Sequence, residues 1–404
     1  MTPKKQVGRI SRVDYDIHGI VGVRLIDPLP SDVAAVTRQI GALQKPLSRD
    51  PDIIIRFVEH LPTGRLRFVE LNRTGFSEHG FFVLESSKHK ATVRIPFEQI
   101  GKRCEIVCES GLRAVPHLMA IVNLTALTKD VVALHASAFV YAGTGVVVTG
   151  WAKGGKTEAL LAFASRGASY IGDEWVLLSG DGRHMYGIPE NIRLWEWHIQ
   201  NLRYLRSGIP LETRLLFASI HFLQRVERSV LSKFFGKTLP ARALREAMPT
   251  LKRQLNIRFD PQAIFRGKIG ACVAYPDKIF FMINHDSEVV TVEPAGPRGI
   301  AERMISSVRF EQFPIMGDYL AFKFAFPKMR NEVLEHAHEM QCSILQRALF
   351  GKEAYTVRHP YPVAFSDLYE VMHPCVERAT TQTEDSTRGQ LAGISHSHSS
   401  PQVV

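Results

Sequence analysis

The residues best suited to chemistry form a glycine-rich segment, GWAKGGKT, which spans residues 150–157 and fits the pattern GxxxxGK[ST]. An apolar run at residues 145–149 precedes it, and a helix stopped by Arg166 and Gly167 is predicted to follow. In this context backbone N–H groups and a helix N-terminus form a concave anion site. Because the same pattern also arises by chance, the strand-loop-helix context carries the prediction of a nucleotide phosphate loop. Its predicted ligands are Gly150, Lys153, Gly154, Gly155, Lys156 and Thr157.

An acidic pair, Asp173 and Glu174, follows Lys156 after only seventeen residues. One helix and one short strand, at 169–172, return the chain to the loop, whereas most phosphate-loop nucleotidases place their second acidic motif many tens of residues downstream. His135 lies on the apolar strand at 132–141, which precedes the loop through a tight turn. The alternatives are a solvated strand end for the acidic pair and a hydrogen-bonded core residue for His135.

The order and spacing of these pieces resemble the catalytic domain of the HPr kinase/phosphorylase family and, more distantly, the phosphoenolpyruvate carboxykinases. The likeness covers roughly residues 134–189, through LHASAFV, GVVVTGWAKGGKTEALL, RGASYIGDEWVLL and YGIP. It implies an α/β fold of the α+β mixed-sheet type, with a P-loop kinase core and a β-rich N-terminal region.

The resemblance also implies roles for individual residues. Lys156 and the loop amides would hold the β and γ phosphates of ATP, and Thr157 would bind Mg²⁺ with Glu158 supporting the metal shell. Asp173 falls where the family keeps its general base, and Glu174 where a second acid contacts the metal. His135 matches a histidine close to the phosphates. Catalysis would thus depend on Asp173, Lys156 and His135, with Thr157, Glu158 and Glu174 around the metal.

Three residues depart from the family pattern. Family loops usually have the form G-[DE]-S-G-[hydrophobic]-G-K-[ST], but Ala152 and Lys153 occupy the serine and second-glycine places. Trp175 follows the acidic pair where the family has an arginine. The likeness therefore supports the kinase class without identifying the acceptor, and it does not carry over the phosphorylase activity or HPr as substrate.

The 404 residues predict two domains or one enlarged domain. Short alternating runs predict a β-rich region at 1–130, and a catalytic domain is predicted at 131–375 with a basic helical insertion at about 200–260. A polar tail at 379–404 is predicted to be disordered. Predicted helices span 112–128, 211–230, 240–256, 297–307, 329–350 and 365–371, and predicted strands of the catalytic domain include 278–283, 289–292 and 354–358.

Charge and composition limit the partners. The formal net charge is +10, and residues 201–258 hold twelve Lys/Arg against three Glu, which favours an anionic partner such as an acidic peptide, nucleic acid or lipid surface. No nucleic-acid-binding motif accompanies this charge, which disfavours nucleic acid. No apolar run predicts a transmembrane segment or a secretory signal. Five scattered cysteines are typical of free thiols, so we expect a cytoplasmic protein, and the resemblance favours a homo-oligomer.

The sequence therefore predicts an ATP-dependent, Mg²⁺-dependent kinase that phosphorylates a hydroxyl of a peptide, protein or small molecule. Two other functions stay open: a nucleotide-binding regulatory module and a nucleic-acid-associated ATPase. The purine preference and the identity of the acceptor are left open by the residues.

Overall fold

Two large mixed sheets organise this α/β protein in the computed structural model, which describes residues 8–70, 73–77, 80–86, 89–227 and 239–377. The elements up to residue 130 are β1 (Arg12–Ile17), β2 (Val21–Ile26), α1 (Pro30–Ile40), β3 (Ile53–Val58), β4 (Arg67–Glu70), β5 (Thr74–Ser77), β6 (Gly80–Ser86), β7 (His89–Ile95), β8 (Cys104–Glu109) and α2 (Leu118–Leu127). The first sheet has the order β1-β2-β3-β8-β7-β6-β5-β4, with β2, β3 and β8 parallel.

The rest of the chain builds the second sheet, a small two-stranded sheet and the helices that pack around them. Its elements are β9 (Val131–Tyr141), β10 (Thr144–Gly150), α3 (Lys156–Ala164), β11 (Ser169–Gly172), β12 (Trp175–Ser179), β13 (Met185–Gly187), β14 (Ile192–Trp195), α4 (Glu196–Asn201), α5 (Leu211–Val226), α6 (Leu239–Lys252), β15 (Asn256–Phe259), α7 (Pro261–Ile264), β16 (Val273–Ala274), β17 (Lys278–Asn284), β18 (Thr291–Pro294), α8 (Pro297–Ala325), α9 (Glu332–Leu349), β19 (Glu353–His359) and α10 (Phe365–Glu377). The order is β16-β13-β12-β9-β10-β17-β19-β18, and β11 also pairs with β9.

The β9–β10 hairpin leads directly into the glycine-rich segment at 150–157. Tyr141 pairs with Thr144, so the turn has two residues, Ala142 and Gly143, and both have positive φ. Two-residue turns of this kind match the right-handed twist of the strands they join. Beyond the hairpin, β10, β17 and β19 run parallel, so their carboxyl ends meet at one edge of the sheet.

Hydrophobic packing covers both faces of the second sheet. Helix α2 is buried on nearly all sides and packs against α9 and β9, within a core that also includes Ile55 of the first sheet. On the opposite face α3 and α10 pack together, and Phe163 stacks on Phe139 with ring centroids 4.6 Å apart. Full burial of such a side chain contributes about 1.5–3 kcal/mol. The two layers hold the carboxyl edge of the sheet in place.

Several predicted boundaries were wrong for identifiable reasons. Helix α2 begins at Leu118 rather than residue 112, because Pro116 disfavours helical backbone in the residue before it. Helix α6 ends at Lys252, and Asn256–Phe259 is a strand that pairs with β14. Helix α8 was predicted to end at residue 307 but continues to Ala325 with Pro314 inside it.

Other predictions were confirmed, stay predictions or lie outside the described residues. The hairpin, the helix after the loop and the strand at 169–172 are confirmed. The strands separate into two sheets near residue 130, although the division into domains itself stays a prediction. The tail at 379–404, together with Arg228, Lys233 and Lys237 of the basic segment, lies outside the described residues. The five cysteines are free thiols. Among the described helices none has the length and apolarity needed to cross a membrane.

Candidate active site

The glycine-rich segment lies between the end of β10 and the start of α3, as the sequence predicts. Gly155, just before α3, has φ 93°, and a Cβ there would lie 2.4 Å from Nε2 of His359. Gly150 has φ 153°, and a Cβ there would lie 2.7 Å from the carbonyl oxygen of Met282 on β17. Both glycines are thus required by the backbone angle and by a close neighbour.

Two side chains from neighbouring parallel strands hold the loop. Asn284, at the end of β17, donates its Nδ2 hydrogen to the carbonyl oxygen of Lys153 at 3.0 Å. Nε2 of His359, at the end of β19, lies 2.9 Å from the carbonyl oxygen of Gly154. Both side chains therefore contact carbonyl oxygens of the loop. The sequence analysis missed both residues, since nothing near them in the chain points to the loop.

Lys156 lies inside the loop, with only 5% of its surface exposed. Its Nζ donates to the carbonyl oxygens of Trp151 at 2.8 Å and Gly150 at 3.3 Å. Burial lowers the pKa of Lys156, and the negative charges of Asp173 and Glu174 oppose that change. A buried ammonium group beside a loop of backbone amides is suited to bind an anion, because the low local dielectric strengthens its field.

Asp173 is 3% exposed and lies directly against the start of α3. Its carboxylate accepts hydrogen bonds from the hydroxyls of Ser137, on β9, and Thr157, the latter at 3.2 Å. Burial and then the charge of Glu174 raise the pKa of Asp173 to about 6, although both hydroxyl donors lower it. The structure therefore brings the predicted base and the predicted metal-binding hydroxyl into contact. A pKa close to neutrality is what proton transfer at neutral pH requires.

His135 lies between two carboxylates. Its Nε2 is 2.9 Å from Glu174, and its Nδ1 is 2.8 Å from Glu311 of α8. Burial lowers the pKa of His135, but the two hydrogen-bonded carboxylates outweigh burial, and the pKa is raised overall. The hydrogen bond from His135 in turn lowers the pKa of Glu174. Glu174 has φ 66°, an uncommon backbone angle for a non-glycine residue that is frequent at functional sites.

Glu158 contacts a buried histidine of α4. Its buried carboxylate lies 3.1 Å from Nε2 of His198 on α4. Its predicted support of the metal shell stays a prediction. Arg193 is an exposed residue of β14 whose positive charge lowers the pKa of Glu174. Trp197 packs edge-on against His198 and contacts Phe365, as a packing residue does.

Three acidic or hydroxyl residues of the site were missed. Ser137 lies two residues after His135 on the same strand, and the period of two along a strand is the signal that links them. Glu311 lies on the part of α8 that was not predicted. Glu190 has a buried Oε1 that forms no hydrogen bond with the described residues, and burial together with the charges of Glu174 and Asp173 raises its pKa to about 8.

The charges around Lys156 suit a bound cation. Asp173, Glu174, Glu158 and Glu311 all act on the pKa of this single lysine through their negative charge. No group of three or more His, Cys, Asp or Glu side chains in the described part of the chain is arranged to hold a metal by itself. Mg²⁺ at a phosphate loop takes one hydroxyl, one or two carboxylates and the oxygens of phosphate and water, so Thr157 and the acidic pair fit it.

Comparisons with known proteins add no family. No protein-family model matches this chain, and no curated protein matches it. We therefore infer function from the geometry around the glycine-rich loop.

Proposed function

We propose that the protein is a kinase that transfers the γ-phosphate of Mg²⁺-ATP to a hydroxyl group. The observation that carries the proposal is the contact between Asp173 and Thr157 directly beside a lysine-bearing phosphate loop. The resemblance to the HPr kinase and phosphoenolpyruvate carboxykinase families supports it, through the same order of histidine strand, loop and acidic pair. A module that only binds nucleotide has no need of a buried carboxyl group with a pKa of about 6 at this place.

The residues divide the work as follows. Lys156 and the loop amides bind the β and γ phosphates and neutralise charge that develops on the transferred group. Thr157 and Glu174 would hold Mg²⁺, which would neutralise phosphate charge when bound. Asp173 takes the proton of the acceptor hydroxyl while the oxygen of that hydroxyl forms a bond to the γ-phosphorus. The bond between that phosphorus and the β–γ bridging oxygen breaks, and ADP leaves.

His135 completes this arrangement as a positioning residue. Held by Glu311 on one side, it donates to Glu174 on the other and fixes the carboxylate next to Asp173. The negative charge of Glu174 then raises the pKa of Asp173. The two carboxyl groups therefore have different pKa values. Glu174, with the lower pKa, stays ionised, and Asp173, with the higher pKa, accepts the proton.

The experiment measures Mg²⁺-ATP binding by calorimetry and transfer from γ-labelled ATP to hydroxyl peptides, sugars and polyols in parallel. Lys156→Ala should abolish productive nucleotide binding while the circular dichroism spectrum is unchanged. Lys352→Ala, which removes another buried lysine away from the loop, is the control and should bind ATP like wild type. Equal affinity in wild type and Lys156→Ala would exclude the nucleotide site. Binding without transfer to any acceptor would favour the regulatory module.

A further inference from the structure

Helix α8 is apolar on two faces, and only one of them is covered. Ile315, Tyr319 and Phe322 are buried against the core. On the other side Phe310, Phe313, Leu320 and Phe324 are 45%, 61%, 61% and 89% exposed. We call these four residues the α8 stripe. A helix that is apolar all round is normally buried on all sides, so the exposed face indicates an occupant.

The α8 stripe begins at the phosphate loop. The ring of Trp151, the second residue of the loop and half exposed, lies 5.0 Å from that of Phe310, and Phe310 lies 5.9 Å from Phe313. Glu311, the residue that follows Phe310 on α8, contacts His135 of the candidate site. The exposed apolar surface is therefore continuous with the site at which phosphate would be transferred.

The length and spacing of the stripe indicate the kind of occupant. Its residues, with Gly317 between them, are separated by three and four positions, which is the spacing that meets another helix. A Cβ at Gly317 would meet nothing within 4 Å, so this position leaves room for a side chain of the occupant. From Phe310 to Phe324 the stripe extends about 21 Å at the helical rise. A small acceptor at the loop would cover only its first residues.

The charge beside the stripe indicates the sign of the occupant. Arg303 lies seven residues before Phe310 on the same line of the helix, and Arg309 lies next to Phe310; both are exposed. The guanidinium of Arg303 lies over the ring of Phe281, 5.4 Å from its centroid, a contact that keeps its positive charge. A segment that covers the stripe and carries acidic residues at the loop end would pair with these two guanidinium groups.

We propose that the α8 stripe, with Trp151, Arg303 and Arg309, docks a polypeptide acceptor through an amphipathic helical segment with acidic residues at one end, so that a hydroxyl residue next to that end reaches the loop. The proposal rests on the proposed kinase function and names the acceptor class for that site.

The test uses a fluorescent 16-residue peptide with leucines at the same three-and-four spacing, glutamates at one end and one serine, together with a scrambled peptide of equal composition. Anisotropy measures peptide binding to the full chain, and calorimetry measures Mg²⁺-ATP binding by the same proteins. Leu320→Ser/Phe324→Ser should bind the patterned peptide about tenfold more weakly than wild type, since apolar anchors dominate such interfaces. Phe350→Ser removes a phenylalanine of matched exposure, 85%, outside the stripe and should bind it like wild type.

The outcomes separate this inference from the proposed function. Equal binding of both peptides to wild type, or no loss in the double variant, would overturn the docking surface while calorimetry still reports the nucleotide site. A wild-type dimer in light scattering that the double variant disperses would make a second copy the occupant, and would also overturn it. Transfer of label to the serine of the patterned peptide, and not of the scrambled one, would support both.

Discussion

Asp14, on β1 of the first sheet, and Asp173, which directly follows β11 of the second sheet, are both buried carboxyl groups, but their surroundings shift their pKa values in opposite directions. Burial alone would raise the pKa of Asp14, yet hydrogen bonds from Arg12 and Arg24 and from the backbone N–H of Leu47 hold it well below its usual range. Among the described residues, the hydroxyls of Ser137 and Thr157 donate to the Asp173 carboxylate, while burial and the charge of Glu174 raise its pKa to about 6. One carboxylate is arranged for stability, whereas the other is kept in a costly state that favours proton transfer.

The largest effect we expect comes from replacing each aspartate by asparagine. Asp173→Asn should slow phosphate transfer at least about a hundredfold, because general bases contribute about 10² to 10⁴ in rate. Its Mg²⁺-ATP affinity should stay near that of wild type. A loss of affinity equal to the loss in rate would instead place Asp173 in the metal shell with Thr157.

Asp14→Asn is the matched counterpart and should leave transfer unchanged at permissive temperature. It removes a charge that two arginines bind, so the free energy of unfolding in urea should fall by about 2 to 3 kcal/mol. If Asp14→Asn slows transfer while stability is kept, the contrast between the two sheets is lost.

The two aspartates should also give stability opposite pH dependences. The pKa of Asp14 is below its unfolded value of 3.8, so its contribution is present above that pH and is lost as pH falls. The pKa of Asp173 is about 6 in the folded chain against 3.8 unfolded, so its cost of up to about 3 kcal/mol is present above pH 6 and is relieved as pH falls. Urea unfolding of wild type and Asp173→Asn at about pH 5 and about pH 7.5 measures this, and an unchanged difference between the two proteins would contradict it.

Activity should follow the same group. Transfer needs Asp173 ionised, so kcat/KM for the acceptor should fall by about tenfold per pH unit below about pH 6. Burial lowers the pKa of His135, but its hydrogen bonds to Glu174 and Glu311 raise it overall, so its imidazolium form persists to higher pH than that of a free histidine. His135→Gln, which donates without a charge, should shift the pH profile, whereas a purely structural histidine would change only stability.

A smaller effect is expected from the residues that hold the loop. Asn284→Ala removes one hydrogen bond to the carbonyl of Lys153, and about 1 kcal/mol corresponds to about fivefold in the dissociation constant for Mg²⁺-ATP. Asn201→Ala removes a similar amide-to-carbonyl bond, to Trp197, away from the loop and should leave the affinity unchanged. Calorimetry compares the two, and equal affinities would mean that the loop holds its shape without Asn284.

The smallest effect concerns the basic segment, in which Arg225, Lys252 and Arg253 are exposed. Their replacement by glutamine should raise the KM for an anionic acceptor or for ATP by about threefold, and added salt should do the same to wild type, since exposed charges are screened over about 8 to 10 Å. If neither KM nor its salt dependence changes, the segment is a solvated helical surface.

Parts of the site that come from one stretch of chain could be predicted from the sequence. The loop, the hairpin and the return of Asp173 to Thr157 depend on neighbouring residues and on turn chemistry. Asn284, Glu311 and His359 could not be predicted in the same way, because the order of strands and the path of α8 bring them to the loop.

The secondary structure shows the same difference between features set by neighbouring residues and features set by distant ones. Pro314 suggests a helix end, yet α8 continues through it because the buried residues after it, up to Phe322, stabilise the helix more than one lost hydrogen bond costs. In the first sheet the strands β1 and β2 and the helix α1 were not predicted individually within the β-rich region at 1–130. The helix predicted at 240–256 extended to Asn256, the first residue of β15, because the pairing of β15 with β14 is not visible in local propensity.

The carbonyl oxygens of Lys153 and Gly154 are bound by residues 131 and 205 positions later in the chain. Contacts of such separation form late during folding, because the entropy of closing long loops must be overcome first. We expect a nascent chain that already contains the whole glycine-rich motif to bind no nucleotide until β17 and β19 have joined the sheet. In stopped-flow refolding, the binding of a fluorescent ATP analogue should therefore follow the slowest phase, and the nucleotide would act as a reporter of completed assembly.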